Sequence, residues 1–140
     1  MLEPEKNREN VINIKDFDAS TVKKLLWFVY SDKVDENEID MDLLAIANMY
    51  QIPSLENICE RRLCNELNID NVLDAWIGAN LFKRNKFLRA CEKFLSQNWS
   101  AVQETESFSR LMESNSKEMA TLACKLLTDH SRVTKNVLHF

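Results

Sequence analysis

The sequence has very few of the residues that make tight turns, with one Gly and two Pro in 140 residues. An all-β sandwich needs turn glycines and a phosphate-cradling loop needs several close together, so both are disfavoured and a mostly α chain is indicated. Histidine is equally scarce: there are two, His130 and His139, in or near the C-terminal tail. No H-E-x-x-H, no G-x-S-x-G and no Cys/His cluster at zinc spacing occurs. Neither an enzyme, nor a metal site, nor a cofactor is therefore expected. Long apolar runs are also missing. The longest, Leu25 to Tyr30, is far shorter than the roughly 20 residues a membrane helix needs. The polar opening MLEPEKNREN does not read as a secretory leader. There is no basic excess: 18 Lys and Arg stand against 22 Asp and Glu, for a net charge of −4. Nucleic acid is thus an improbable partner on charge grounds.

What the chain does have is apolar helical pattern. Hydrophobic residues make up 45% of it, enough for a packed core. The segment FDASTVKKLLWFVY, Phe17 to Tyr30, organises the rest. Asp18 or Ser20 can cap a helix start, and Val22, Leu25, Leu26 and Val29 recur at the spacing of one helical face. The end of this helix is apolar all round, so it needs neighbours on several sides. Trp27 falls one turn from Lys23, on the side expected to be wet, and is a candidate exposed interface aromatic. Trp76, Trp99, Phe28 and Phe108 are expected in the core.

Ahead of this helix, Val11-Ile12-Asn13-Ile14 reads as one short strand without a second to pair with. After it comes the acidic loop SDKVDENEID. Asp35, Glu36, Glu38 and Asp40 there read as solvated, and the lack of a glycine argues against a calcium loop. Asp40 should cap a helix from Met41 to Tyr50 with Tyr50 on its apolar face. Pro53 breaks the chain, and Ser54 should cap a third helix with Leu55, Ile58, Cys59, Leu63 and Leu67 inward. Asp70 should cap a fourth helix reaching about Phe82. Its Gly78 implies close approach of a neighbour. The basic turn Lys83 to Lys86 leads to a fifth helix ending near Asn98, with Arg89, Glu92 and Lys93 on its wet side. A connector from Trp99 to Ser107, a short helix around Phe108, Leu111 and Met112, and a last helix capped by Ser116 follow. Residues from Ser131 onward should fray. The four cysteines form no C-x-x-C pair and are expected as reduced thiols, mostly buried.

Several of these pieces resemble a known family. Phe28-Val29-Tyr30-Ser31-Asp32-Lys33-Val34, then Asp42 to Tyr50, then Ile52-Pro53-Ser54-Leu55 and Cys59-Glu60 are similar, in order and spacing, to the second half of a BTB/POZ domain. Ser31-Asp32 stands where many members have Thr-Gly. Asn71-Val72-Leu73, Ala79-Asn80-Leu81, Phe94-Leu95 with Asn98-Trp99, and Val102 to Phe108 resemble the three-box or BACK extension. The nearest pattern is the speckle-type POZ (MATH-BTB) adaptor group. The resemblance implies a mostly α, partial BTB/POZ fold, with one short residual strand, followed by a BACK-like helical extension. The boundaries it implies are 1–67 for the BTB half, 68–130 for the BACK-like region and 131–140 for a tail.

In function the resemblance implies a substrate adaptor of a cullin-3 ubiquitin ligase, in the nucleus or cytoplasm. Met1-Leu2-Glu3 stands where such proteins hold a hydrophobic-x-Glu motif for cullin, so Met1 and Glu3 inherit that role, with Tyr50 and Asn68 as candidate flanking contacts. The first half of the BTB fold, with its main dimer helix, would precede Met1, and no MATH or kelch domain accompanies the chain. This leaves homodimerisation open. The competing reading is a BTB and BACK self-association module unconnected to ubiquitin.

Overall fold

A computed structural model describes the backbone of residues 17–138 and the side chains of residues 17–128. Among the described residues the chain is a succession of seven α-helices and one 3-10 turn, with no strand. The strand expected at Val11 to Ile14 lies outside them. The helices are α1 (Ala19–Ser31), α2 (Met41–Met49), α3 (Pro53–Asn65), α4 (Val72–Leu81), α5 (Asn85–Val102), α6 (Glu106–Ser114) and α7 (Ser116–Leu138). By contact the chain divides into two compact units, Met1–Asn65 and Glu66–Phe140.

In the first unit, α1 packs on α2 and α2 on α3. Asp18 starts α1: its carboxylate accepts from the Thr21 backbone N–H at 2.9 Å and from the Thr21 hydroxyl at 3.0 Å. Those two bonds hold its carboxyl below the ordinary carboxylate range, because only the charged form accepts both well. Asp40 caps α2 through the Leu43 N–H at 2.9 Å and pairs with Lys24 of α1 at 3.4 Å. Leu43, Leu44, Ile46 and Ala47 of α2 and Leu55 of α3 are fully buried and form the centre of this unit.

The α1 face turned inward differs from the expected stripe. Thr21, Leu25 and Phe28 are buried, whereas Leu26 and Val29 are exposed. Period alone cannot choose a face where every position from 25 to 30 is apolar, and the contact with α2 makes the choice. Tyr50, expected on the apolar face of α2, is the exposed residue that follows Met49 and caps the helix C-terminus. Helix α3 begins at Pro53 rather than being capped by Ser54. The Glu56 N–H reaches the Ile52 carbonyl at 3.0 Å, and Pro at the first helical position loses a donor that had no partner there. Ile58 and Leu63 are only half-buried, and the buried set includes Glu56, which accepts from the Asn48 side-chain amide at 2.8 Å.

The second unit is built on α4 against α5, with α6 on α7 and on α4, and α5 on α7. Asp70 does not cap α4. Asn68 organises this turn instead, its side-chain oxygen accepting from the backbone N–H groups of Asp70 and Asn71, both at 2.9 Å. Helix α4 is buried on most sides, with Val72, Leu73, Trp76, Gly78 and Ala79 all enclosed. Helix α5 passes Asn98 through a kink and continues to Val102, so the expected connector from Trp99 is helical in its first half. Thr105 then caps α6 through the Phe108 N–H at 3.2 Å. The last helix runs on to Leu138 where fraying was expected from Ser131.

Glu92, expected on the wet side of α5, is half-buried. Its carboxylate instead accepts from the Trp76 indole N–H at 3.1 Å and pairs with Lys125 of α7 at 2.8 Å, tying three helices. Trp76 and Phe28 are buried as expected, while Trp99 and Phe108 are only half-buried, edge-to-face at 5.8 Å.

Candidate docking surfaces

Among the described residues, each unit carries an apolar groove. The first is an open groove of 910 Å³ running along the outer side of α1 to the loop that follows it. Its middle is apolar. Leu26 is 60% exposed, Trp27 59%, Val29 64% and Tyr30 89%. Lys23 and Lys24 of α1 and Asp35 and Glu38 of the loop also line it, and the loop comes back to α1 where Asp40 pairs with Lys24 at 3.4 Å. Capping sets this layout. Asp18 starts α1 and Asp32 ends it in the left-handed region (φ 63°), its N–H on the Phe28 carbonyl at 2.7 Å. The chain is thereby turned into the short 3-10 segment Glu36–Glu38, which Arg62 of α3 holds through Glu36 and Asn37 at 3.7 and 3.5 Å.

The second groove, of 880 Å³, lies between α5, α6 and α7. Trp99, Phe108, Met112, Met119 and Leu126 line it, with Ser96, Gln103 and Ser116 among its polar members. None of its lining residues carries a formal charge. Adaptable thioethers beside an aromatic pair suit contact with an apolar surface.

No group of three metal-ligating side chains occurs among the described residues, and no described helix is long and apolar enough to cross a membrane. Cys59 and Cys91 are buried, Cys64 half-buried and Cys124 exposed, all as free thiols, so Cys124 departs from the expected burial.

Of the residues singled out from sequence, Trp27 lines the first groove. Tyr50 is exposed at the end of α2 in the first unit. Asn68 is exposed in the second unit, where its side chain is committed to the turn before α4. Met1 and Glu3 lie outside the described residues. Sequence reasoning missed Leu26, Val29 and Tyr30 as surface residues. The surplus of apolar positions at 25–30 over what one buried stripe requires was the available signal.

The BTB/POZ domain profile matches residues 1–67. Residues 1–67 belong to the BTB/POZ family. Two relatives extend the likeness beyond that boundary. TD and POZ domain-containing protein 5 of Mus musculus is 28% identical over 116 residues, covering 81% of this chain and 34% of that protein. BTB and MATH domain-containing protein 40 of Caenorhabditis elegans is 31% identical over 110 residues, covering 76% of this chain and 27% of that protein. The chain therefore spans about a third or less of the length of these curated relatives. Their names are consistent with the MATH-BTB group. A BTB/POZ segment is a protein-interaction module, and the mostly α architecture is that of a BTB-like chain.

Proposed function

We propose that this chain is a substrate-adaptor or scaffold module of a cullin-3 ubiquitin ligase, acting by protein–protein contact in ubiquitin-dependent degradation in the nucleus or cytoplasm. The observation that carries this reading is the BTB/POZ match over residues 1–67 together with a MATH-BTB relative. On this reading Met1 is an apolar plug for a groove on the cullin, Glu3 shapes its loop, and Tyr50 and Asn68 flank the contact. Residues 68–130 act as a BACK-like platform that extends the docking surface. The chemistry is contact rather than turnover, and no cofactor enters it.

The test is titration of the 140-residue chain with the cullin-3 N-terminal region by calorimetry. Binding at micromolar or tighter affinity is expected, with a loss of tenfold or more when Met1→Asp and Glu3→Ala are combined. Unchanged affinity in that double variant removes the motif assignment, and no binding by the parent chain removes the cullin reading. A second reading, self-association without a ubiquitin role, is favoured by the exposed apolar face of α1. It expects assembly of the purified chain and no cullin bound.

A further inference from the structure

The cations of the turn between α4 and α5 continue onto the outer face of α5. Residues 83–93 hold Lys83, Arg84, Lys86, Arg89 and Lys93 against the single carboxylate Glu92. Of the 18 Lys and Arg and 22 Asp and Glu in the chain, the remaining 13 and 21 leave it acidic elsewhere. Lys86, Arg89 and Lys93 recur at spacings of three and four, which sets them in one row on α5, on the far side from the buried Phe87, Cys91 and Leu95. All three are exposed, as is Lys83. Among the described residues none of these four is paired with a carboxylate. Glu92 does not offset the row, because its carboxylate is engaged by Trp76 and Lys125.

Fold stability does not account for this row. A cation just past a helix C-terminus is favoured by the helix dipole, which explains Lys83 after the end of α4. The same dipole opposes Lys86 in the first turn of α5, where no side chain caps the helix and no acidic residue stands. Arg89 and Lys93 lie beyond the reach of either end. Like charges one turn apart also repel, so the row lowers the stability of α5. We infer that it is a docking site for a short acidic segment of a partner protein. From Lys86 to Lys93 the row covers about 10 Å of helix axis, the span of about three residues of extended chain. The turn at Lys83 and Arg84 lengthens it at one end, and Leu81, 65% exposed at the end of α4, adds an apolar side chain next to that turn. A nucleic acid or an anionic bilayer extends far past a row of this length. Farther away than a Debye length of about 8 Å, such a polyanion meets a chain whose other charges are mostly acidic. A short acidic segment meets the row alone. The site lies in the second unit, outside the BTB/POZ match, and does not rest on the cullin reading.

Fluorescence anisotropy tests this, with the full 140-residue chain titrated into a labelled ten-residue peptide of Glu and Asp with one central Leu. A dissociation constant on the order of 100 µM at about 50 mM salt is expected, weakening about fivefold or more by about 300 mM as the charges are screened. Combining Lys86→Glu with Arg89→Glu should weaken binding about tenfold or more. Lys117→Glu, at an exposed cation of α7 outside the row, should leave it within about twofold. The melting temperature of the double variant should hold or rise, since Glu suits the first turn of a helix. No peptide binding by the parent chain, or binding indifferent to the double variant, would overturn the proposal. A double variant that melts well below the parent would also overturn it, by making the cations structural. A twenty-nucleotide RNA or phosphatidylserine vesicles, bound more tightly than the peptide and released by the same variant, would reassign the row to that polyanion. Titration with the cullin-3 N-terminal region keeps the two readings apart. The double variant should keep cullin affinity within about twofold, and its loss together with peptide binding would assign the row to the cullin contact instead. A parent chain that takes the peptide but no cullin removes the cullin reading and supports this one.

Discussion

Single side chains decide more here than their number suggests. Asp18 holds the start of α1 through two hydrogen bonds from Thr21, and its depressed titration makes the contribution pH-dependent. The bonds stabilise the fold above the unfolded carboxylate value of about 3.9. The contribution fades as pH falls through the lower folded value. Thermal melts should show Asp18→Ala less stable than the parent at pH 7, with the gap closing toward pH 2. Glu92 is a sharper case. Truncation to Ala leaves the enclosed Trp76 indole N–H without its acceptor and removes the counter-ion of Lys125. A loss of about 1–3 kcal/mol in urea unfolding is expected, and Glu92→Gln should recover part of it. Among the thiols, Cys124 should react with a disulfide reagent in the native state, while Cys59 and Cys91 wait for unfolding.

At the scale of elements, α1 shows where pattern stops being informative. Its existence was legible and its cap was narrowed to Asp18 or Ser20, of which the structure takes Asp18. Its buried face was not legible, since six successive apolar residues offer no polar position to mark the outside. Leu25→Ala should cost about 2–5 kcal/mol and Leu26→Ala within about 0.5 kcal/mol of nothing, measured by chemical denaturation; the reverse order would restore the stripe expected from spacing. Helix ends pose a related problem. With its single glycine inside α4, the chain turns out of helices in the left-handed region at Asp32, Gln51 and Lys83. Each carries a Cβ where none is favoured, at a cost of about 1–2 kcal/mol. Asp32 occupies the position where many members of the family have glycine, and its φ of 63° shows why glycine suits it. Asp32→Gly should therefore stabilise the chain by about 0.5–1 kcal/mol, after the larger entropy of the glycine-bearing unfolded chain is subtracted. No change in its melting temperature would argue against strain at this turn.

Taken as a whole molecule, the described residues form two helical units, each with an apolar groove on its surface. If the cullin motif and the α1 face act separately, Met1→Asp with Glu3→Ala should abolish cullin binding and leave sedimentation unchanged. Trp27→Ser should do the opposite. Loss of both properties in either variant would mean one shared surface. The mostly α class and the positions of the first helices followed from local rules, because caps, breaks and apolar period act over a few residues. The partial burial of Glu92, the burial of Glu56 and the exposure of Tyr30 depended on partners further along the chain or on which of several equivalent faces a neighbour covers. Residue order alone therefore determined a mostly helical chain whose first 67 residues are BTB/POZ-like. Only tertiary packing decided which greasy residues became its core and which remained outside as its docking face, because burial is settled by the helix that arrives to cover a surface.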